Sequence, residues 1–583
     1  MFTKRFPFFV LLTRRQHISY SGLQAGAGSP RLNTMHIVAG LIVTVLLSAC
    51  SKNPDERAGK LFSYVPEDTL YLAANTEPVP EGFYKHQVQQ VKAIFSDDGM
   101  GKMLEAAKKK EPGQRFFVTL MQELSMRAGA GELDQIGLDR NARTVTYAWG
   151  LAPVMRSDIR DPSAFKAMLE DVAKRSGYAL DWQRCEGLDC LAFSGSGKSP
   201  LSIEMVLHPD HIAVALFLAK NRASMVAHLV GKKVPAKSYS VARFEEFQEQ
   251  NHYLGAGAGF VELDGMVDRV AGRIADDLAQ RGKTGEAAQV RRCAGGVKAL
   301  LANMPRMIFG AKEIKEKEVR SEVVLETTPG LAKTLQDIPA KLDGLEMAAN
   351  PVIDFGVGLN IPRFRDALID LLKQVGMAAK KSGCTAIPPD AMQKASMAIA
   401  MAMGMGITQL QGLYVAVNDI TLDDQMKPSK VDARFSIAAD DPVGLLRMAA
   451  AFVPPLADLE LPEDGKQVPL PAGVLPPGMP PVSLARKGKF LNVVVGDGDA
   501  KTVPVDAAHP ALLWGTLDGP RYYGALGGLI DRVRPKLAKG KDAERSEQAL
   551  VALRTVEKFV PSVSQRIHPD SRGLVMDFDI RYP

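Results

Sequence analysis

Two short segments of the chain combine residue types that metal sites and phosphate sites use. His208-Pro209-Asp210-His211 gathers two imidazoles and a carboxylate within four residues, a set that is able to ligate a metal ion. Proline followed by aspartate is also typical of turns, and strand-like apolar segments flank the four residues. The sequence therefore favours a turn over the metal-site alternative, and we assign no metal ligand.

The segment from Ala192 to Ser199 nearly matches GxxxxGK[ST], the pattern of loops that hold phosphate groups. Those loops bind phosphate because backbone N–H groups converge at the start of a helix. Here alanine replaces the first glycine, and Pro200 is followed by Leu-Ser-Ile-Glu-Met-Val, which predicts a strand. We therefore expect a hairpin turn at this place, and no nucleotide or other cofactor.

A third segment is rich in methionine, with Met392, Met397, Met401, Met403 and Met405 close together. Methionine side chains adapt to irregular apolar surfaces and sometimes form grooves that accept several partners. Packing of a helix against a sheet is the more ordinary explanation of the same pattern. We regard these five residues as a candidate binding segment for an apolar ligand or a partner protein.

The beginning of the chain carries an export pattern. Residues 37–47 form an apolar run of eleven, which suits the hydrophobic part of a signal peptide and is too short for a convincing membrane span. The run ends in Leu47-Ser48-Ala49-Cys50, which resembles the lipobox of bacterial lipoproteins. An ordinary apolar helix with a buried cysteine is the alternative.

The lipobox resemblance implies a cleaved signal peptide over residues 1–49 and a lipid on the thiol of Cys50. It also implies a lipidated tether over residues 50–62 and a location on the periplasmic side of a bacterial membrane. In the family pattern an aspartate after the cysteine favours the inner membrane, so Ser51 favours the outer membrane. The membrane, reached through the lipid anchor, is thus the first expected partner.

Four cysteines remain after the anchor, and an exported protein folds where disulfides form. Cys185 and Cys190 enclose a glycine and strand-like segments flank them, so a turn can bring the two together. We therefore expect a Cys185–Cys190 bond and, by remainder, a Cys293–Cys384 bond. A zinc site is the alternative, although CxxxxC is not the usual zinc spacing and no histidine cluster accompanies it.

The charge balance argues against nucleic acid as a partner. Removal of residues 1–49, which hold five basic residues and no acidic one, lowers the formal net charge from +6 to +1. Nucleic-acid binding depends mainly on the neutralisation of phosphates by a basic surface. The charge of the remaining chain offers no such excess.

Four segments share one pattern, an apolar strand followed by a small polar residue and an amphipathic helix. They are residues 69–75, 253–264, 351–360 and 510–518. After each segment we expect a second helix and two strands, so the quasi-repeated unit is β-α-α-β-β. Asp161-Pro162 and Asp441-Pro442 begin further helices, with aspartate as the cap and proline in the first turn.

The four units predict an internally duplicated α+β fold in which helices cover antiparallel sheets. The first half spans residues 63–335 and the second half spans residues 345–583. The body is similar in layout to bacterial envelope proteins of unknown function that begin with a Tyr-Val-Pro-x-Asp-Thr strand, here residues 64–69. That resemblance implies no activity.

These observations favour a non-catalytic binding or scaffold protein that engages an apolar ligand or an envelope partner. Neither GxSxG nor HExxH occurs in the chain, although separated residues can still form a catalytic triad. An envelope hydrolase with dispersed catalytic residues is therefore one alternative, and we assign no catalytic residue. A carrier of lipids or lipoproteins is the other alternative, and it requires a concave apolar face.

Overall fold

The computed structural model describes residues 55–583 apart from the segments given at the end of this paragraph. All described residues belong to one compact unit, Leu47–Pro583. Residues 1–49, Cys50 and the first part of the expected tether lie outside the described residues. The other residues outside the described part of the chain are 97–111, 195–200, 387, 389, 405–408, 423–427, 472, 476–478, 497–500, 506–509, 534–552 and 555–556.

Helices and strands alternate along the described chain. The helices are α1 (Asp55–Phe62), α2 (Glu81–Ser96), α3 (Pro112–Ala130), α4 (Pro162–Ser176), α5 (Arg222–Leu229), α6 (Val241–Asn251), α7 (Leu263–Gln280), α8 (Thr284–Leu301), α9 (Pro329–Gln336), α10 (Ile361–Ser382), α11 (Ala391–Gly404), α12 (Pro442–Ala450) and α13 (Gly519–Val533). The strands of the first part are β1 (Tyr71–Asn75), β2 (Thr144–Trp149), β3 (Ala152–Asp158), β4 (Trp182–Cys185), β5 (Leu188–Ser194), β6 (Leu201–Leu207), β7 (His211–Leu218), β8 (Ala258–Glu262), β9 (Arg306–Ile314) and β10 (Glu318–Glu326). Those of the second part are β11 (Glu346–Ala348), β12 (Ile353–Gly358), β13 (Leu410–Leu422), β14 (Pro428–Ala439), β15 (Val468–Pro469), β16 (Val482–Lys487), β17 (Phe490–Val495), β18 (Thr502–Pro504), β19 (Leu513–Leu517), β20 (Ser562–Pro569) and β21 (Gly573–Arg581).

The fold is α+β, as the sequence predicts, and its strands pair antiparallel. Nineteen of the described strands form one sheet, and β11 pairs with β18 separately. The order across the sheet is β4-β5-β6-β7-β3-β2-β1-β8-β9-β10-β21-β20-β19-β12-β13-β14-β17-β16-β15. The middle of the sheet is the β10–β21 pair, in which Glu318 to Glu326 lie opposite Arg581 to Gly573.

Helix caps follow the predicted chemistry. The Asp161 carboxylate accepts hydrogen bonds from the N–H groups of Ser163 and Ala164, and Asp441 accepts one from Gly444. Asn360 caps α10 in the same way, through the N–H of Arg363. Short oxygen-bearing side chains satisfy N–H groups that have no partner within the helix, so these residues set where α4, α10 and α12 begin.

One face of the sheet carries the main core, and we call it the packed face. Leu72, Tyr147 and Ile308 lie on it and are buried together with residues from α1, α5 and α6. In the second part, the segment 340–348 covers the packed face, on which Tyr414 is buried. The other face, here called the open face, is covered by α3 and α4 at the β5–β7 end, where they enclose a second core.

The N-terminal helix shortens the tether expected over residues 50–62. Within α1, Leu61 and Phe62 are almost fully buried in the core of the packed face, and Val65 follows them there. Burial of each such side chain contributes roughly 1.5–3 kcal/mol. The chain is therefore held by the body of the protein from Leu61 onward.

The predicted disulfides are both present. Cys185 is bonded to Cys190 across the β4–β5 hairpin. Cys293 of α8 is bonded to Cys384, two residues after the end of α10, and the Cα atoms lie 4.6 Å apart. The second bond thus joins α8 to the segment that directly follows α10.

Candidate functional site

A row of apolar side chains runs across the open face of the sheet from β7 to β14, and we call it the apolar stripe. Cross-strand pairing fixes its members, because directly opposed residues of antiparallel strands point to the same face. In sheet order it consists of Val214, Met155, Thr146, Ala73, Gly259, Phe309, Val323, Met576, Ile567, Leu513, Val357, Leu413 and Ile437. Thr146 is its one polar side chain, and no member carries a charge.

The stripe is long and only partly covered. Thirteen neighbouring strands at roughly 4.8 Å spacing give it a length of about 58 Å along the sheet. Of its members only Gly259 is buried, Leu413 is exposed, and the rest are partly exposed. The flanking residues on the packed face, such as Leu72, Phe260 and Val324, are buried. The two faces of the same strands thus differ in how tightly they are sealed.

Exposure of the open face is greatest on β12 and β13. Ile353, Phe355, Leu413 and Val415 are each between 39 and 44% exposed. Phe355 lies directly opposite Val415, so their side chains adjoin on the same face. Contiguous exposed apolar surface of this kind usually marks a binding site, because it is costly to leave in water.

The helices near the middle of the chain do not seal this surface. α7 packs against α8, α8 against α10 and α10 against α11, while their contacts with the strands are sparse. The 22 residues of α10 include one buried residue, Ala379, whereas the 15 residues of α4 include six. Val270, Ile274 and Leu371, on α7 and α10, also remain exposed. These helices therefore keep apolar surface available for a further contact.

The predicted methionine segment lies on α11 and beyond it. Met392 lies beside Gly376 of α10, and Met397 and Met401 are 53 and 74% exposed. The side chain of Met403 and the whole of Met405 lie outside the described residues. The role of these residues as a binding segment stays a prediction.

A buried hydrogen-bond network surrounds the His208–His211 turn, and we call it the histidine cluster: Arg156, Tyr147, His208, His211 and His228. The Arg156 guanidinium is fully buried and donates to the Tyr147 hydroxyl at 3.1 Å and to His211 Nε2 at 2.7 Å. It also donates to the backbone carbonyls of His228 and Leu229. The face of the Tyr64 ring lies 3.6 Å from its Cζ atom.

The contacts fix each histidine in one neutral tautomer. His211 Nε2 accepts from Arg156, so its Nδ1 carries the proton and donates to Asp210 at 2.8 Å. His228 Nδ1 donates to the Lys233 carbonyl, so its Nε2 accepts from the Tyr147 hydroxyl at 2.7 Å. Burial, with the nearby His208 and Arg156, lowers the pKa of His211 to about 3. Burial likewise lowers the pKa of His228 to about 4.

The histidine cluster is a closed structural network. Its five side chains are almost entirely buried, so water and substrate have no route to the imidazoles. His208 Nε2 lies 2.8 Å from the Leu229 carbonyl and is used there. Within the described part of the chain no group of three or more His, Cys, Asp or Glu residues is placed to hold a metal ion.

The phosphate-loop candidate lies between two paired strands. β5 and β6 pair antiparallel up to Ser194 opposite Ser202, and residues 195–200 between them lie outside the described residues. The element that follows is β6, a strand, as predicted. A helix N-terminus for phosphate is therefore lacking immediately after this segment.

A separate polar cleft of about 350 Å³ opens where α7 begins. Its lining includes Glu262, Asp264 and Asp268 as well as Arg243 and Arg306. Burial raises the pKa of the Glu262 carboxyl, with the nearby Arg306 opposing that rise. Charges of both signs line the cleft and partly compensate each other.

Sequence reasoning missed the apolar stripe and Arg156, although both leave a signal. Arg156 follows Val154 by two residues on a short strand, so the two-residue period of a strand places an arginine on the same face as a core valine. The stripe is visible as strands that are apolar on both faces, such as Val323 to Leu325 in β10.

Comparisons with known proteins give little further information. No protein-family model matches the chain, and no curated protein matches it. Among solved structures, the chain is similar to one titled "Structure of crystal form I of TP0453", with 11% identity over 48% of this chain and 79% of that chain. The TM-score is 0.22, so this likeness carries no argument. Within the described residues no helix is both long enough and apolar enough to cross a membrane.

Proposed function

We propose that this protein is a membrane-anchored periplasmic lipoprotein that binds the acyl chains of a lipid along its apolar stripe. The observation that carries the proposal is the contrast between the two faces of one sheet. The packed face is buried at residues such as Leu72, Phe260 and Val324, whereas the open face presents an uncharged row that is partly exposed over about 58 Å. Binding of apolar groups there removes exposed apolar surface from water.

Acyl chains suit the stripe better than a compact apolar molecule does. The stripe is one to three side chains wide and continuous over many strands, which matches a long and thin ligand. Its neighbours Phe355 and Val415 widen it at the β12–β13 end, and Leu216 and Ile203 are exposed in the same way at the β6–β7 end. Exposure is therefore highest at the β12–β13 end, where a chain can enter, because α3 and α4 cover part of the open face at the other end.

The anchor at Cys50 and the periplasmic location belong to the same proposal. The lipobox supports both, and two disulfides among the remaining four cysteines fit an oxidising compartment. More than one acyl chain on the N-terminal cysteine gives a stable membrane anchor. A protein held at a bilayer is close to a supply of the ligand that we propose, and Ser51 favours the outer membrane.

The architecture further supports an origin by internal duplication, which we include in the proposal. The order of strands outward from β10 is β9, β8, β1, β2 and β3, and outward from β21 it is β20, β19, β12, β13 and β14. In both halves the last three strands of the chain segment lie innermost, and the first three strands that belong to the large sheet follow. In the second half the short strand β11, which pairs with β18, precedes those three. Two similar halves joined at β10–β21 extend one open face into a single long stripe.

Lipid analysis of the purified protein tests the proposal. The mature chain, exported with a cleavable signal that adds no lipid, is purified without detergent and extracted with organic solvent. Mass spectrometry of the extract should show lipid in near-stoichiometric amount. The double variant Phe355→Asp with Val415→Asp should retain much less, because two charges on the stripe oppose an apolar ligand.

A matched control keeps the result specific. Phe452, two residues after the end of α12, is 88% exposed and is not a member of the stripe, so Phe452→Asp should leave retention unchanged. A mature chain that carries no lipid and binds no fluorescent fatty acid at micromolar concentration would refute the acyl-chain function. The intact mass of the native protein tests the Cys50 anchor independently.

A further inference from the structure

The N-terminal helix α1 is fixed to the body by several contacts. Leu61 and Phe62 are buried in the core, and the Lys60 ammonium pairs with the Asp210 carboxylate. Two residues after the helix, the Tyr64 ring lies against the Arg156 guanidinium. The position at which the chain leaves the body toward Cys50 is therefore defined.

The chain between Cys50 and α1 is short. Five residue steps separate Cys50 from Asp55, and a fully extended chain spans at most about 3.6 Å per residue, or about 18 Å in total. The eight residues of α1 add roughly 12 Å. A lipid on Cys50 thus keeps the surface around α1 within about 30 Å of the bilayer, half the length of the apolar stripe.

A basic loop, residues 231–237, lies beside the end of α1. Gly231 packs near the Tyr64 ring, and the N–H of Glu67 donates to the carbonyl of Lys237 at 3.0 Å. The loop exposes Lys232, Lys233, Val234 and Lys237, and the Val234 side chain is 54% exposed. An exposed valine between lysines is suited to the interface of a membrane, where the apolar side chain enters and the ammonium groups reach phosphates.

The charges around the loop leave it positive. Lys232 pairs with Glu186 at 2.9 Å, and the nearby Asp210 is neutralised by Lys60. Lys233 lies 5.9 Å from the ring centre of Trp149, and within the described residues neither it nor Lys237 pairs with a carboxylate. Two ammonium groups without an ion pair in the described part of the chain therefore remain for an anionic surface, and the exposed Glu67 beside Lys237 is the one carboxylate there that opposes them.

From the length of the tether and this charge, we propose that the basic loop docks on the anionic phospholipid headgroups of the membrane to which Cys50 is attached. The inference rests on the proposed lipidation of Cys50, and it assigns a surface that the proposed lipid-binding function does not use. Docking at the loop fixes which side of the protein faces the bilayer, since the tether alone permits rotation.

Hydrogen exchange on the lipidated full-length protein tests this surface. The protein is reconstituted into vesicles of phosphatidylglycerol and phosphatidylethanolamine, or of phosphatidylcholine alone. On the anionic vesicles, amides of residues 231–237 should exchange several-fold more slowly than on the zwitterionic ones. High salt should remove the protection because it screens the attraction.

A double variant provides the specific test. Lys233→Ala with Lys237→Ala should weaken docking about 30-fold, from the contribution of each lysine near an anionic surface. Lys380→Ala with Lys381→Ala removes the same charge from the end of α10 and should leave the loop protected. Absence of protection on anionic vesicles, equal protection on zwitterionic ones, or protection that survives the double variant would each overturn the proposal.

The intact mass separates the two possible failures. An unacylated Cys50 contradicts the proposed anchor and, with it, the docking surface. An acylated protein without protection at the loop contradicts the docking surface alone, and leaves the anchor and the apolar stripe in place.

Discussion

The substitution Phe355→Ala provides a quantitative test of the apolar stripe. The Phe355 side chain is 44% exposed and lies opposite Val415 on the open face. A phenylalanine side chain can bury on the order of 200 Å², so the exposed part is about 90 Å². At roughly 25 cal/mol per Å², its contact with a ligand contributes about 2 kcal/mol. We therefore expect an affinity for a long-chain fatty acid about 30-fold weaker than that of the wild type.

Displacement of a fluorescent fatty acid from the mature chain measures this difference. Thermal unfolding of the same samples shows whether the variant is still folded, which we expect because Phe355 is not part of a buried core. Phe452→Ala, at a more exposed phenylalanine outside the stripe, is the matched control and should bind within a factor of two of the wild type. If both variants weaken binding equally, or if neither does, the stripe is not where the ligand lies.

Three further predictions concern stability. His211 and His228 stay neutral in the folded protein below pH 6.5, because their pKa values are lowered there, whereas the same histidines take up protons in the unfolded chain. Their contribution to the free energy of unfolding is therefore fully present above pH 6.5 and is lost as the pH falls toward 4. Urea unfolding from pH 7.5 to 5 should show little change above pH 6.5 and, below it, a loss that approaches about 1.4 kcal/mol per pH unit for each histidine, and a flat profile would contradict it. Arg156→Met leaves several buried acceptors without a donor, and at about 1–3 kcal/mol for each unsatisfied group it should lower the free energy of unfolding by about 3–5 kcal/mol in the same assay. An unchanged value would count against the network. The Cys293–Cys384 bond closes a loop of 91 residues, whereas the Cys185–Cys190 bond closes a loop of five. Replacing the first pair by serine should therefore lower the free energy of unfolding by about 2–3 kcal/mol more than replacing the second pair. The reverse order would contradict the chain-entropy reasoning.

The sequence predicts those features that depend on local chemistry. Asp161 and Asp441 cap helices because the cap needs only a short acceptor and a proline nearby. The pairing of Cys185 with Cys190 follows from a turn between two strands. The α+β class and the antiparallel pairing follow from strands connected by pairs of helices.

Features that depend on the assembled sheet could not be predicted in the same way. The apolar stripe exists only once thirteen strands are in register, and no window of the sequence contains more than a few of its members. The tether was expected to reach residue 62, because the polar residues before Leu61 conceal how deeply Leu61 and Phe62 are buried. Arg156, in turn, is held by groups 9 to 73 residues away.

A sheet that does not close on itself has two outer strands, and this has a consequence for how the protein behaves at high concentration. In the described chain, β4 and β15 each pair with one strand only, and they have four and two residues. Short outer strands offer few unpaired backbone N–H and C=O groups to a strand of another molecule, and Pro469 of β15 lacks an N–H. The Cys185–Cys190 bond also links β4 covalently to β5. The two borders therefore resist the strand-by-strand polymerisation to which so wide a sheet would otherwise be prone, and molecules should remain separate even when crowded on a membrane.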